Sequence, residues 1–257
     1  MKSITIKDEP KWAVNVDDRK YKHISRIVKN FLIPKYSEYP MWSEFYDYLG
    51  SSRNFTHSNH YYRYLNTFGL LVSQLGVLKN RVILETGGAS PISTFLSHYN
   101  ECFSTESDLR LEFDVPDNYV DVVLSFEVLE HIKDQPETNI SQVVLFQESG
   151  VKCFVSEIKR VLKEGGEVVL TTPNACSYRA ILEAVEHRPP TIFRPHVREY
   201  SKNEILSFFN EFKCKYYTST NNFFMLGDDV NKFEKKFKKA GWSIDDRGDD
   251  HLFYFNC

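Results

Sequence analysis

The residues with the clearest chemical potential form a turn, Gly87-Gly88, between an apolar segment that ends in Glu85 and a helix predicted to start after Ser90. Glycine has no Cβ atom and tolerates positive φ angles, so the backbone N–H groups of such a turn can approach a ligand closely. Ser90 can cap the helix, and Pro91 suits its first position. The pattern predicts a nucleotide-cofactor turn that faces the positive end of a helix.

A second acid strengthens this prediction. The turn continues Ala89-Ser90-Pro91 and therefore does not match the dinucleotide fingerprint G-x-G-x-x-G. Glu106, however, ends the next predicted strand about twenty residues after Glu85, where an acid accepts hydrogen bonds from ribose hydroxyls in nucleotide-binding α/β folds. The alternative is that Glu106 only begins a solvated loop.

Two segments with different patterns make up the chain. Residues 1–78 show helical spacing in Ile24–Leu32 and His60–Gly76 around an aromatic-rich stretch, and we expect helices and loops there, not a sheet. From residue 79 onward, short apolar runs alternate with helices, which is typical of parallel strands covered on both faces. We predict an N-terminal helical cap or lid (1–78) and a cofactor-binding domain (79–257).

Six strands and three helices are predicted after residue 79. The strands are Arg81–Glu85, Glu101–Glu106, Val120–Ser125, Glu167–Thr171, Phe212–Ser219 and His251–Asn256, and the helices are Pro91–Tyr99, Val151–Leu162 and Lys202–Asn210. The lysine-rich run Lys232–Lys239 carries Phe233 and Phe237 four residues apart, which favours an amphipathic helix with a wet lysine face over a partner-binding feature.

Composition excludes several classes of function. The 257 residues carry a net charge of −3, which does not indicate a polyanion-binding surface, so we expect no nucleic-acid partner. No run is long and apolar enough for a membrane span, and the first residues lack the apolar core of a signal peptide, so we expect a cytoplasmic protein. The five cysteines form no C-x-x-C pair; we expect them to be reduced and predict no metal site.

Three segments in a fixed order resemble the class I S-adenosylmethionine-dependent methyltransferases that act on small molecules. They are VILETGGAS, SDLRLEFDVPDNYVDVVLSFEVLEHIKD (Ser107–Asp134) and VSEIKRVLKEGGEVVLTTPN (Val155–Asn174), and the resemblance covers about residues 79–210. It implies an α/β fold with a Rossmann-like methyltransferase sheet, mostly parallel with an antiparallel last strand. Only Ser107 separates Glu106 from Asp108, where the family has a helix and a strand, so the sheet is expected to be one β-α unit short.

The resemblance also implies which residues bind S-adenosylmethionine. The turn and its preceding acid would hold the methionine end, Glu106 the ribose and Asp108 the adenine amino group, although the last two roles could be exchanged. Two further residues would lie beside the cofactor at the end of the fourth strand. The full implied set is Glu85, Gly87, Gly88, Ala89, Glu106, Asp108, Glu127 and Leu129.

Methyl transfer to a hydroxyl needs a base, and histidine is matched to neutral pH. By resemblance, His131 lies where the fourth strand delivers groups to the site, and His196 lies in the loop that borders the acceptor pocket. Alternatively, His131 braces a helix start and His196 holds its own loop by hydrogen bonds. Either arrangement is open from the sequence.

The acceptor pocket is expected to include a second set of residues. Two arginines beside His196 suit a phosphate or carboxylate on the acceptor, or else pair with surface acids. Aromatic residues of the cap (Trp42, Tyr46, Tyr61, Tyr62, Tyr64) could close over the cofactor as a lid, or simply pack the cap onto the sheet. The candidate acceptor-binding residues are Arg194, Arg198, Tyr200, Asn174 and Tyr62.

Motif absences and resemblance narrow the acceptor. The site after the fourth strand reads SFEVLEH, with neither the Asn/Asp-Pro-Pro-aromatic motif of base amino methylation nor the Pro-Cys of cytosine-C5 methylation. EVLEHI and HVREYS resemble bacterial enzymes that decorate surface polysaccharides. This implies O-methylation of a sugar hydroxyl or of a phosphorylated or phosphoramidate precursor. Alternatives are N-methylation of a small amine, or a non-catalytic S-adenosylmethionine-binding regulator or scaffold.

Overall fold

The computed structural model describes residues 3–5, 24–51, 58–105, 108–134, 148–191, 195–222 and 228–257. Within these residues, seven strands form one sheet in the order β1-β3-β2-β4-β5-β7-β6. In chain order the strands are Ser3–Thr5 (β1), Val82–Thr86 (β2), Glu101–Thr105 (β3), Val120–Phe126 (β4), Leu162–Pro173 (β5), Lys213–Thr220 (β6) and Asp250–Asn256 (β7).

The centre of the sheet confirms the predicted fold class. Strands β3, β2, β4 and β5 run parallel, and β7 lies antiparallel between β5 and β6. The chain goes from β2 to β3 on one side and then to β4 on the other, which creates a topological switch point at the carboxyl ends of β2 and β4. Open α/β sheets bind ligands at such a point.

One edge of the sheet differs from the prediction for residues 1–78. Ser3–Thr5 pairs antiparallel with β3, with Ser3 opposite Thr105, so this segment contributes a strand as well as helices. A three-residue edge strand needs only backbone hydrogen bonds, so it leaves almost no signal in the side chains. The described part of the β3–β4 connection, residues 108–119, contains no further strand or helix, in agreement with a sheet that is one unit short. Strand β1 occupies the edge position beside β3.

The predicted helices are present with shifted ends. The described helices are Ile33–Tyr36 (α1), Pro40–Ser51 (α2), Ser58–Leu75 (α3), Pro91–Leu96 (α4), Ser149–Val161 (α5), Tyr178–Val185 (α6), Lys202–Phe208 (α7) and Asp228–Lys239 (α8). A π-helical turn, Val28–Leu32, precedes α1. The wider π turn changes the phase of the apolar face, and Phe31, which the spacing placed on that face, is 51% exposed.

The cap, residues 24–78, shares a continuous core with one face of the sheet. Phe45 of α2 lies 4.3 Å from Phe68 of α3 and 5.2 Å from Phe95 of α4, measured between ring centroids. Trp42 is buried and donates its indole N–H to the Leu65 carbonyl at 2.8 Å. Burial of large aromatic rings is the main source of stability for such a layer. The cap therefore is packed against the sheet.

The opposite face and the carboxy-terminal helix complete the fold. Helices α5 and α7 cover the other face, where Phe209 stacks on Phe255 at 4.6 Å. Helix α8 is amphipathic as predicted: Phe237 is buried and packs edge-on against Tyr178 of α6 at 4.7 Å. None of the helices in the described ranges combines the length and the hydrophobicity that crossing a membrane requires.

We expect Gly69→Ala to destabilise the protein, because a Cβ atom at this position of α3 would lie 2.4–2.6 Å from the buried Tyr36 ring. Overpacking of this kind costs about 1–3 kcal/mol of unfolding free energy. Gly50→Ala in α2 is the control, since nothing lies within 4 Å of the position that its methyl group would take, and it should be neutral or stabilising by about 0.5–1 kcal/mol. Urea unfolding measures both; equal stability of the two variants would contradict the packing described here.

Candidate active site

The glycine turn lies at the switch point and has the backbone conformation that glycine permits. Gly87 has φ 82° and Gly88 has φ 103°. A Cβ atom on Gly87 would lie 2.6 Å from Cγ2 of Val128, which follows β4. The turn can therefore pass this close to the β4 end only with glycine at position 87.

Glu85 braces this turn from within the protein. It is buried, and its Oε2 oxygen accepts hydrogen bonds from the backbone N–H of Ser90, at 2.6 Å, and from the Ser93 hydroxyl. Ser90 and Ser93 also form a capping box at the start of α4. Burial raises the pKa of Glu85 to about 7 despite these hydrogen bonds. The described contacts of Glu85 thus fix the turn rather than point to the methionine end of a cofactor.

A cavity of about 300 Å³ opens beside the turn. It brings together three of the predicted cofactor residues, Gly87, Asp108 and Glu127, with the predicted catalytic residue His131. The other lining residues are Leu109, Arg110, Val128, Ile132 and Lys133. Its wall therefore combines carboxylates, cations and apolar groups.

Asp108 contributes its carboxylate to the cavity wall, but already in an ion pair. Arg110 donates from Nε to Oδ1 at 2.8 Å and from Nη2 to Oδ2 at 2.6 Å. These hydrogen bonds lower the pKa of Asp108 to about 2. The carboxylate stays ionised, and an adenine amino group would have to share it with the guanidinium.

Glu127 lies at the end of β4 in a backbone conformation that is uncommon for a side chain of its size, with φ 58°. Its Oε1 accepts from the Thr171 hydroxyl at 2.8 Å, and its Oε2 lies 3.6 Å from Nη1 of Arg63. Left-handed backbone at a non-glycine residue commonly marks a functional site. From this point the chain places Glu127, Val128 and His131 on the cavity wall.

Arg63 of α3 lies among several buried acids. Besides Glu127, it interacts electrostatically with Glu85 and with Asp250 at the start of β7. It also donates a hydrogen bond to the Tyr64 hydroxyl at 3.1 Å. Burial and then the neighbouring Glu127 and Asp249 carboxylates raise the pKa of Asp250 well above its ordinary value. Arg63 thus supplies positive charge where the sheet buries several carboxylates.

A group of three residues, which we call the histidine cluster, also lies at this edge of the sheet. It consists of Glu130, His131 and His196. The two imidazole rings meet edge to face at 5.0 Å. Glu130 Oε1 lies 3.8 Å from Nε2 of His131 and 3.9 Å from Nε2 of His196. The structure therefore brings together the two histidines that the sequence analysis assigned to catalysis.

The two histidines differ in environment. The side chain of His131 is 47% exposed, whereas that of His196 is 7% exposed, with its Nδ1 2.6 Å from Oε1 of Glu199. Burial, and then the nearby His196, lower the pKa of His131 below its ordinary value. His131 is therefore neutral at pH 7, with a ring nitrogen able to accept a proton.

Several predicted residues have structural roles. The Asn174 side chain is buried, donates to the carbonyls of Asp246 and Gly248 at 2.8 Å each, and accepts from the Cys176 N–H at 2.8 Å. Its hydrogen-bonding groups thus hold a loop in this structure, and its role in acceptor binding stays a prediction.

Three more of the predicted acceptor-binding residues, Arg198, Tyr200 and Tyr62, make contacts within the protein or are partly or fully buried. Arg198 pairs with Glu204, the alternative that the sequence left open, and its guanidinium lies 5.0 Å above the Tyr200 ring. Tyr200 is buried, which raises its pKa to about 12. Tyr62 is half-buried on α3, and burial followed by the Asp249 charge raises its pKa to about 12.

The other predicted site residues differ in burial. Leu129 is fully buried beneath the β4 end, and Ala89 is half-buried in the turn. Glu106 and Arg194 lie outside the described residues. Of the predicted lid aromatics, Trp42, Tyr61 and Tyr64 are buried, as the packing alternative requires, and Tyr46 and Tyr62 are half-buried.

Sequence reasoning missed the buried charged residues that support the site, namely Arg63, Glu130, Glu199 and Asp250. Arg63 is a charge inside a helix whose neighbours are nearly all apolar or aromatic, and Asp249-Asp250 directly precedes an apolar strand. Buried charges are rare unless they are paired. That rule could have singled out Arg63 and Asp250, but it could not have paired them.

The residues around the cavity fit S-adenosylmethionine. Gly87 packs against Val128 with no room for a Cβ atom and lies on the cavity wall together with acids and cations. The methionine end of the cofactor carries an ammonium and a carboxylate, and its ribose carries two hydroxyls. Glu127 and Asp108 offer acceptors, and Arg110 and Lys133 offer donors for these groups.

Comparisons with known proteins identify the family of this chain. The profile of the methyltransferase domain family matches residues 46–220. A segment of 67 residues is 37% identical to a protein of Mycolicibacterium smegmatis named probable S-adenosylmethionine-dependent methyltransferase, and it covers 26% of this chain and 20% of that relative.

Solved structures with a similar backbone were also found. A SAM-dependent methyltransferase from Archaeoglobus fulgidus is 13% identical, with a TM-score of 0.43 over 76% of this chain and 94% of that one. Phosphoethanolamine N-methyltransferase 2 of Haemonchus contortus, solved with S-adenosyl-L-methionine, is 14% identical, with a TM-score of 0.45 over 82% of this chain and 59% of that one.

The sheet order and the cavity at its switch point define a Rossmann-like α/β fold of the class I methyltransferase type. The chain belongs to the methyltransferase domain family, whose cofactor is S-adenosylmethionine.

We expect Glu85→Gln to remove a pH-dependent loss of stability. Since the folded-state pKa of Glu85 is about 7 and the unfolded value is about 4.3, the favourable contribution of this group is complete below about pH 4 and is lost as the pH rises through about 7. Unfolding free energies of the wild type and the variant at pH 5 and pH 8 measure this. The unfolding free energy of the variant minus that of the wild type should rise by up to about 3 kcal/mol from pH 5 to pH 8. A constant difference would show that Glu85 is not neutral in the folded protein at pH 5.

Proposed function

We propose that this protein transfers the methyl group of S-adenosylmethionine to a hydroxyl of a small molecule. The main support is the position of the histidine cluster next to the cavity. His131 lines the cavity, and the ring centroids of His131 and His196 lie 5.0 Å apart. The predicted cofactor-binding residues and a proton-accepting side chain thus lie at the same edge of the sheet. This arrangement supports hydroxyl activation during methyl transfer.

The chemistry requires alignment and the removal of one proton. When bound, S-adenosylmethionine supplies an electrophilic methyl group. Asp108, Arg110, Glu127 and Lys133 would hold the cofactor. Its methyl group would pass to the hydroxyl oxygen, and the electron pair of the carbon–sulfur bond would stay on sulfur. The proton of the hydroxyl leaves at the histidine cluster, where His131 is neutral at pH 7. Holding the reacting groups in line supplies much of the acceleration.

For the acceptor we propose a sugar hydroxyl or a phosphorylated or phosphoramidate precursor of a surface polysaccharide. The resemblance of EVLEHI and HVREYS to polysaccharide-modifying enzymes supports this class. The cations on the cavity wall, Arg110 and Lys133, suit a charged group on the cofactor or on the acceptor. Five free cysteines support a reducing, cytoplasmic location.

N-methylation of a small amine is the second candidate, because acids are close to the cavity. Glu127 lines it, and Glu130 lies behind it. Carboxylates there would hold a cationic amine, but burial and the Glu127 charge raise the pKa of Glu130 well above its ordinary value. The raised pKa disfavours the charged form of Glu130 and so weakens its attraction to an ammonium group, which favours the hydroxyl.

We expect Gly87→Ala to weaken S-adenosylmethionine binding at least tenfold, because the added Cβ would push Val128 and strain a positive φ. Gly165→Ala is a matched control: its φ is 73°, nothing lies within 4 Å of the new Cβ, and it lies in β5 away from the cavity. Calorimetric titration of each variant measures the affinity. Equal affinities for the two variants would place the cofactor elsewhere.

Turnover tests the reaction itself. We expect formation of S-adenosylhomocysteine with a panel of nucleotide sugars and phosphorylated sugars, and a loss of about 100-fold or more in His131→Ala and His196→Ala. Cofactor affinity should stay within about threefold in both variants. Turnover with amines only would favour N-methylation, and cofactor binding without turnover on any acceptor would favour a non-catalytic binding protein.

A further inference from the structure

The histidine cluster has a feature that proton transfer alone does not explain. Oε1 of Glu130 is buried and has no hydrogen-bond partner among the described residues, although two imidazole nitrogens lie 3.8 and 3.9 Å away. These distances are too long for hydrogen bonds. Leaving a buried carboxylate oxygen without a partner is unfavourable, because its desolvation is not compensated. Glu130 Oε1 and the two imidazole nitrogens are thus close together but not hydrogen-bonded to one another.

Each of the three side chains makes a further polar contact. His196 is held through Nδ1 by Glu199 at 2.6 Å, and Glu130 is held through Oε2 by the Thr172 hydroxyl at 2.9 Å. His131 has a hydrogen bond with the backbone of Pro195. In metal centres, the second nitrogen of a ligating histidine is commonly held by a carboxylate or a backbone carbonyl, which fixes the ring and its tautomer. His196 has this outer support from Glu199, and the Thr172 hydroxyl supplies it for Glu130.

We propose that Glu130 Oε1, His131 Nε2 and His196 Nε2 bind one divalent cation. These three atoms lie within 4.8 Å of one another, and ligand atoms about 2.1 Å from one ion lie about 3–4 Å apart. Two imidazoles with one carboxylate suit Mn²⁺ or Zn²⁺ better than Ca²⁺ or Mg²⁺, which prefer oxygen ligands. The cysteine spacing predicts no metal site, and local spacing along the chain does not place His196 beside Glu130.

The cation would have open coordination positions toward the cavity. His131 is half-exposed and lines the cavity together with Glu127. Three protein ligands leave positions for oxygen atoms of a bound molecule. Resting on the proposed function, this inference narrows the acceptor to one that presents two neighbouring oxygens, such as vicinal hydroxyls or a hydroxyl beside a phosphate. With the ion bound, His131 and His196 would act as ligands instead of as proton acceptors. The ion would lower the pKa of the bound hydroxyl, and the released proton would pass to water.

Titration of the full-length protein with MnCl2 and ZnCl2, after removal of any histidine tag, tests this site directly. We expect one equivalent per chain by calorimetry, with a dissociation constant at least tenfold higher in Glu130→Gln, His131→Ala and His196→Ala. His187→Asn is the control, because His187 is exposed and asparagine tolerates its φ of 59°. This variant should bind like the wild type. Melting curves without metal identify variants that fail to fold, and exposed His131 provides the variant least prone to this.

The outcomes separate this inference from the proposed function. Absence of binding, or binding that is unchanged in all three cluster variants, would overturn the cation site, whether or not methyl transfer is found. A cation that binds the cluster in a protein without methyltransferase activity would support the site and contradict the function. Methyl transfer that a chelator abolishes and Mn²⁺ or Zn²⁺ restores would support both.

Discussion

The burial of several carboxylates at one edge of the sheet is the constraint on which the rest of this structure depends. Glu127 and Asp250 come from separate strands, and Arg63 reaches them from a helix of the cap. Breaking a buried ion pair by removing one partner commonly costs about 3–5 kcal/mol, because the remaining charge is left uncompensated. The cap is therefore part of the electrostatics of the site, in addition to covering one face of the sheet with aromatic rings.

The turn beside this edge is stabilised from inside. Glu85 and Ser93 use their polar groups to hold Ser90 and the first turn of α4, so the backbone at Gly87 is fixed by protein contacts. A site whose geometry is fixed in this way needs little reorganisation when a ligand binds. The altered glycine pattern of the turn is compatible with this arrangement, because the one glycine that the packing strictly requires, at position 87, is present.

The segment from Glu127 to His131 connects the cofactor and acceptor sides of the site. Glu127 adopts a left-handed conformation at the end of β4, and the next residues form a short 3-10 turn that ends at His131. His196 arrives from a loop far along the chain and meets His131 edge to face. A segment of five residues thus places a carboxylate at the cavity and an imidazole beside the proposed acceptor, which is the proximity that methyl transfer requires.

The sequence by itself determined the order of six of the seven described strands and the position of the glycine turn, because apolar periodicity and turn chemistry are local properties of the chain. The resemblance to a family added the antiparallel last strand and singled out His131 and His196 as candidates for catalysis. Only the tertiary structure decided that Asn174 holds a loop and that Arg63 compensates the buried acids. It also decided that Glu130 lies between the two histidines. These facts depend on which side chains meet across the sheet and on how deeply they are buried, and local spacing along the chain determines neither.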